Sequence, residues 1–139
     1  MLVGATRSGR KGLMRRLYSG DIPDGQQILA PRYVGPFVLP PAEFLENRRF
    51  YHMIITLGAD CDILLFVQSA TDRTSVFPPG FATLFNRKVL GIITKTDMAD
   101  ADTCRATNFL YHAGVRDIRM TTGSSDCHAL AQLRTELFP

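Results

Sequence analysis

Residues 1–12 read Met1-Leu2-Val3-Gly4-Ala5-Thr6-Arg7-Ser8-Gly9-Arg10-Lys11-Gly12. A short apolar stretch ending at Gly4 runs into a loop punctuated by glycines, and Leu13, Met14 and Leu17 then predict a helix over residues 13–18. Strand, glycine loop and helix in that order is the setting in which backbone N–H groups cradle a phosphate. The spacing follows G-x-x-x-x-G-K-[ST], except that Arg10 stands at the lysine and Lys11 at the hydroxyl residue. Shifting the register by one makes Lys11 the lysine but leaves Gly12 where the hydroxyl belongs. Neither register supplies a magnesium ligand. An ammonium about 4 Å from a dication, at an effective dielectric of ~20, repels it by roughly 8 kcal/mol, so Lys11 must turn away or pair with phosphate itself. Gly4, Ser8, Gly9, Arg10, Lys11 and Gly12 are the candidate phosphate-binding residues, set against the plainer reading of a glycine loop that only turns a strand into a helix.

Outward from this loop, residues 62–68 (DILLFVQ) and 88–94 (KVLGIIT) are short continuous apolar runs that suit strands covered on both faces. Residues 42–57 predict one helix: Pro41 suits the first turn, Glu43 and Glu46 complement the positive end of the dipole, and Phe44, Leu45, Met53, Ile54 and Leu57 form a stripe. Residues 102–113 predict a helix ended by Gly114, 117–120 a strand, and 124–137 a last helix capped by Ser124 or Ser125. Edge strands are expected at 27–33, interrupted by Pro31, and at 35–39, closed by Pro40 and Pro41, with at most a short helix near 81–85. Strands alternating with helices imply an α/β fold: a mostly parallel sheet of about five to six strands with helices on both faces, in a single domain over residues 1–139. Ligands of such sheets lie beyond the carboxyl ends of the strands. The loops after Val3, Leu39, Thr94 and Met120 all open there.

Thr94-Lys95-Thr96-Asp97 directly follows the second apolar run and matches the [NT]-K-x-D arrangement that reads guanine. Its carboxylate can accept two hydrogens from the base edge while the lysine stem packs over the ring. An aspartate that only caps a helix is the competing reading. Thr121-Thr122-Gly123 ends the next strand, where a backbone N–H can meet the base carbonyl; alone, it is a turn.

The chain has 139 residues, 45% hydrophobic and 21% charged, which excludes a disordered or collagen-like chain and calls for one real core. No apolar run approaches the roughly 20 residues that span a bilayer, so the expectation is a soluble, cytoplasmic protein. The net charge of +3 is local: Arg7, Arg10, Lys11, Arg15 and Arg16 all fall in the first twenty residues without one acid. Such a cluster suits phosphate, nucleic acid or an acidic partner, or is simply a solvated helix face. Cys61, Cys104 and Cys127 have neither disulfide nor zinc spacing and read as thiols. His52, His112 and His128 lack convergent ligands, so no metal site is expected.

These loops, with EFLENR at residues 43–48, DILLFVQSA, PPGF, VLGIITKTD, YHAGVRDI and TTGSS, give a chain that resembles the EutP/PduV family nearly end to end. These are small Ras-like P-loop proteins of ethanolamine- and propanediol-utilisation operons and their bacterial microcompartments. The resemblance implies a Ras-like P-loop NTPase fold, with Gly4, Gly9, Arg10 and Lys11 on phosphate-loop positions, Lys95 and Asp97 on base-reading positions, and Thr122 and Gly123 on the last base-contacting turn. The departures matter equally. The family pattern D-x-P-G-E is here Leu39-Pro40-Pro41-Ala42-Glu43, and no threonine lies between Tyr18 and Phe37. Three magnesium contacts are missing together, and phosphoryl transfer in this class depends on that charge.

The resulting expectation is a microcompartment-associated, degenerate P-loop protein that keeps affinity for GTP, GDP or ATP, has impaired magnesium-dependent hydrolysis, and acts through shell or lumen proteins. No nucleic-acid or membrane partner is expected. Glu43 is the candidate catalytic residue, at the place of a water-orienting side chain; helix-dipole complementation is its other explanation. Two alternatives stand beside this. One is an active GTPase, ATPase or acetate kinase-like phosphotransferase in which Arg10 and Lys11 replace the metal charge. The other is a shell-targeting module, binding no nucleotide, that docks through Leu13, Met14 and Leu17 with Arg15 and Arg16.

Overall fold

Residues 1–17, 30–121 and 128–137 are described by a computed structural model. In chain order the elements are β1 (Leu2–Gly4), α1 (Arg10–Leu17), β2 (Arg32–Val34), β3 (Phe37–Leu39), α2 (Glu43–Glu46), α3 (Tyr51–Ala59), β4 (Ile63–Ser69), β5 (Lys88–Thr94), α4 (Thr103–His112), β6 (Asp117–Met120) and α5 (His128–Leu137), with 3-10 turns at Arg48–Phe50 and Phe81–Leu84. The two long apolar runs pair in parallel, Ile63 opposite Lys88 through Ser69 opposite Thr94. β1 and β6 flank them, giving a four-stranded parallel sheet in the order β1-β4-β5-β6. This is an α/β architecture consistent with a Ras-like P-loop fold.

Side chains alternate between two cores because successive strand residues face opposite sides of the sheet. Leu65, Val67, Leu90 and Ile92 pack with Leu13, Met14 and Leu17 of α1 and Leu133 of α5. Leu64, Phe66 and Ile93 pack on the other face with Ile54 of α3, Ala106 and Leu110 of α4, and Phe77, Phe81 and Phe85. Fully burying a ring such as Phe66 contributes about 2–3 kcal/mol, so both sides of the sheet are strongly held. Gly91 lets α4 come close: a Cβ there would stand 2.9 Å from Leu110 Cδ1 and 3.0 Å from Val115 Cγ1.

Two expectations are corrected. The predicted helix over residues 42–57 is broken, with α2 separated from α3 by an extended Asn47 at φ −119° and ψ 118° and a 3-10 turn. The Asn47 side chain accepts the Arg49 N–H at 3.1 Å and so starts a new turn where a single helix was expected. Stacked rings of Phe44 and Phe50, 5.2 Å apart, keep the two pieces on the same core.

Among the described residues the sheet is also narrower than the five to six strands expected. β2 and β3 form a separate antiparallel pair, Arg32 opposite Leu39. β3 lies beside β1, with Leu39 and Leu2 in one core. The Arg10 side chain bridges them, donating to the carbonyls of Leu2 and Pro40. The edge strand predicted from residue 27 begins at Arg32 among the described residues, and residues 27–29 fall outside them.

Candidate functional site

The glycine loop leaves the carboxyl end of β1 and enters α1, and a cleft of about 500 Å³ opens over it, lined by residues 5–12 with Ala42, Glu43 and Glu46. Gly4 is fixed by close packing: a Cβ would lie 2.6 Å from Ser8 Oγ and 2.8 Å from the Val67 carbonyl oxygen. The chain then turns through Arg7 at φ 64° and Gly9 at φ 97°. Such positive angles present successive loop amides toward one side, the geometry of an anion nest. The Ser8 N–H donates to Ala5 O at 3.1 Å and Leu13 N–H to Gly9 O at 2.9 Å, which seats the loop on the first turn of α1.

The candidate phosphate-binding residues therefore gather on one loop, but with different postures. Arg10 is buried, and its Nη1 donates to Pro40 O at 2.6 Å and to Leu2 O at 3.4 Å. Burial pushes its guanidinium down to about 10, against a smaller upward pull from Glu46. Lys11 is half-buried and Gly12 exposed, and a Cβ on Gly12 would meet nothing. Ser8 is 2% exposed and its Oγ has no hydrogen-bond partner among the described residues. Glu43 is exposed at the start of α2, on the cleft wall.

The segment after β5 braces this loop from behind. Thr94 Oγ1 donates to the Ser8 carbonyl at 2.5 Å, and Lys95 Nζ donates to the Arg7 carbonyl at 2.6 Å. Lys95 takes φ 58° to do so. Asp97 is exposed in the following turn. Thr96 Oγ1 donates to Thr121 O at 2.9 Å, tying this turn to the end of β6. Thr122 and Gly123 lie outside the described residues.

Sequence reasoning missed Thr6 and Glu46. The Thr6 backbone N–H and Oγ1 both donate to Glu46 Oε1, at 2.9 and 2.7 Å. In sequence Glu46 stands only near a helix start, and no local pattern joins residues 40 positions apart. Among the described residues, no three His, Cys, Asp or Glu side chains group as metal ligands, and no described helix is long and apolar enough to cross a membrane.

A family model described as ethanolamine utilisation – propanediol utilisation (PduV-EutP) matches residues 1–137. The "Probable acetate kinase EutP" of Salmonella typhimurium is 34% identical over 94 residues, which cover 67% of this chain and 59% of that protein. The protein of the same name from Escherichia coli K12 is 32% identical over 94 residues. The "Propanediol utilization protein PduV" of Citrobacter freundii is 29% identical over 123 residues, 88% of this chain and 81% of its own. The match thus spans 59% of the length of the EutP proteins.

Proposed function

The chain belongs to the PduV-EutP family of ethanolamine and propanediol utilisation, and from that premise we propose a microcompartment-associated protein whose glycine loop binds nucleotide phosphates with its own positive charge, with little or no magnesium-dependent turnover. The observation that carries this reading is the make-up of the cleft. Loop residues 5–12 bring Arg7 and Lys11 to it together with the loop backbone, the Thr6 hydroxyl now held by Glu46 and the first turn of α1, while the Arg10 charge lies buried against the Pro40 and Leu2 carbonyls.

The donor set does not fit magnesium. The residue after Arg10 carries an ammonium instead of a hydroxyl, and Leu39-Pro40-Pro41-Ala42 offers no side-chain oxygen. A dication there would meet the Lys11 ammonium, and the two carboxylates of the cleft, Glu43 and Glu46, form no group of three such ligands among the described residues, Glu46 being held by Thr6. What the loop retains is binding: fixed charge, amides held in place by Thr94 and Lys95, and Asp97 on the base side. Without the dication, charge on the transferring oxygens is poorly neutralised, so interaction with shell or lumen proteins is the proposed output.

The name shared by the EutP relatives favours a second reading, an acetate kinase-like transfer with Arg10 and Lys11 in the metal's role. One assay separates the two. Purified chain is incubated with GTP, with ATP, and with ATP plus acetate, each with magnesium and with chelator, and phosphate and acetyl phosphate are measured. The proposed function predicts turnover at background in every arm. Chelator-resistant product that is abolished by Lys11→Ala, and by Arg10→Ala with Lys11→Ala in protein shown to be folded, establishes the second reading, and robust magnesium-dependent hydrolysis contradicts both.

A further inference from the structure

We propose that the Glu46 carboxylate is a resident competitor for the glycine loop, a latch that a phosphate ligand must displace, so that loading the loop releases α2. This rests on the reading of the loop as a phosphate site. Thr6 turns its backbone N–H and its hydroxyl onto the single oxygen Oε1, at 2.9 and 2.7 Å. An amide beside a hydroxyl in a glycine loop is a donor pair suited to a phosphate oxygen. Here a carboxylate of the same chain holds it.

The element carrying that carboxylate is short and ends at a change of backbone direction. α2 is one turn, with Glu46 N–H on Ala42 O at 3.0 Å and Asn47 N–H on Glu43 O at 2.9 Å, and the backbone is extended at Asn47 immediately after it. The segment is fastened to the loop at both ends. Arg10 grips Pro40 O at 2.6 Å, and Glu46 grips Thr6. Glu46 is exposed, so water competes for its bonds and the contact is readily exchanged. A polyphosphate brings more negative charge and more acceptor oxygens to the same amides. It outcompetes one carboxylate, and Oε1 and a phosphate oxygen repel each other over the shared donors. Displacement then frees the outer end of α2 while Phe44 and Leu45 remain buried.

The test titrates pyrophosphate calorimetrically, in chelator, into the wild-type chain, E46A and E46Q. E46A removes the acceptor oxygen from Thr6, whereas E46Q removes the charge and keeps an amide oxygen for the same donors. The latch predicts that E46A binds about tenfold tighter than wild type and E46Q no more than about twofold. Equal gains in the two variants reduce the effect to charge and overturn the latch, as does unchanged affinity in E46A. Failure of all three proteins to bind overturns the phosphate reading itself and the latch with it. Hydrogen exchange on the wild-type chain gives a readout free of substitution: pyrophosphate should speed exchange at the Glu46 and Asn47 amides, and slowed or unchanged exchange there overturns release of α2.

Discussion

Arg10 and Pro40, 30 residues apart, are joined by a 2.6 Å hydrogen bond from the guanidinium to the carbonyl. The same nitrogen reaches Leu2 O at 3.4 Å, so one loop cation ties the end of β3 to β1 where no strand ladder forms. Removing a buried, hydrogen-bonded charge leaves carbonyls unsatisfied and a void. Arg10→Ala should lower unfolding stability by about 2–4 kcal/mol in urea, and Arg10→Lys should restore less than half, since an ammonium lacks the guanidinium fork. Because burial pushes this group down to about 10, it stays protonated in both folded and unfolded chains at neutral pH. Its contribution should be flat between about pH 6 and 9, with stability gained only as pH rises from there toward the free arginine value.

Gly4→Ala should be among the most damaging small substitutions. The added methyl would stand 2.8 Å from the Val67 carbonyl, backbone of the central strand β4, and 2.6 Å from Ser8 Oγ. Overpacking against backbone costs typically 1–3 kcal/mol, and relief would unseat the loop. Gly12→Ala, which meets nothing and improves helix propensity by about 1 kcal/mol, should be neutral or stabilising. Equal urea midpoints for the two variants would contradict the packing account.

Lys95 acts on the loop through its amine, which holds the Arg7 carbonyl at 2.6 Å. Lys95→Met keeps the stem and loses that bond. The exposed bond is worth at most about 1 kcal/mol, so stability should barely change, while pyrophosphate affinity, which senses loop order directly, should fall severalfold. Loss of guanine preference with pyrophosphate affinity intact would show that Lys95 serves only the base.

Much of this was legible in advance, for identifiable reasons. The parallel strands followed from continuous apolar runs, and the order of strand, glycine loop and helix from glycine spacing, because both depend on neighbours in sequence; the boundary itself differs, α1 starting at Arg10 where residue 13 is expected. The break at Asn47 was missed because one side chain accepting the Arg49 N–H outweighed an otherwise continuous stripe. The motif assigns Arg10 to phosphate and carries no sign of its bond to Pro40, nor of the Thr6–Glu46 contact. Both are tertiary bonds between residues 30 and 40 positions apart. Thr94 and Lys95 were singled out for the base, and their contacts with Ser8 and Arg7 show a bracing role that the motif pattern does not encode.

At the far edge of the sheet, Arg119 links Asp117 at 3.0 Å to Glu136 of α5 at 2.6 Å. The Arg119 hydrogen bond holds the Asp117 carboxyl below its usual range. A depressed carboxylate stabilises the fold above its unfolded value and loses that contribution as pH falls through its folded one. Arg119→Ala should therefore cost no more than about 1 kcal/mol near pH 7, given the exposure of the partners. The difference from wild type should shrink toward zero as pH falls below about 4. Denaturation curves at both pH values check this, and a difference that grows in acid would contradict the assignment.

The central claim is that this loop holds phosphate by protein charge in place of a dication. The most direct measurement is the rise in melting temperature of the wild-type chain on titration with GTP, run once in magnesium and once in chelator. The account predicts the same rise in both. A rise seen only with magnesium, or none in either, would contradict it.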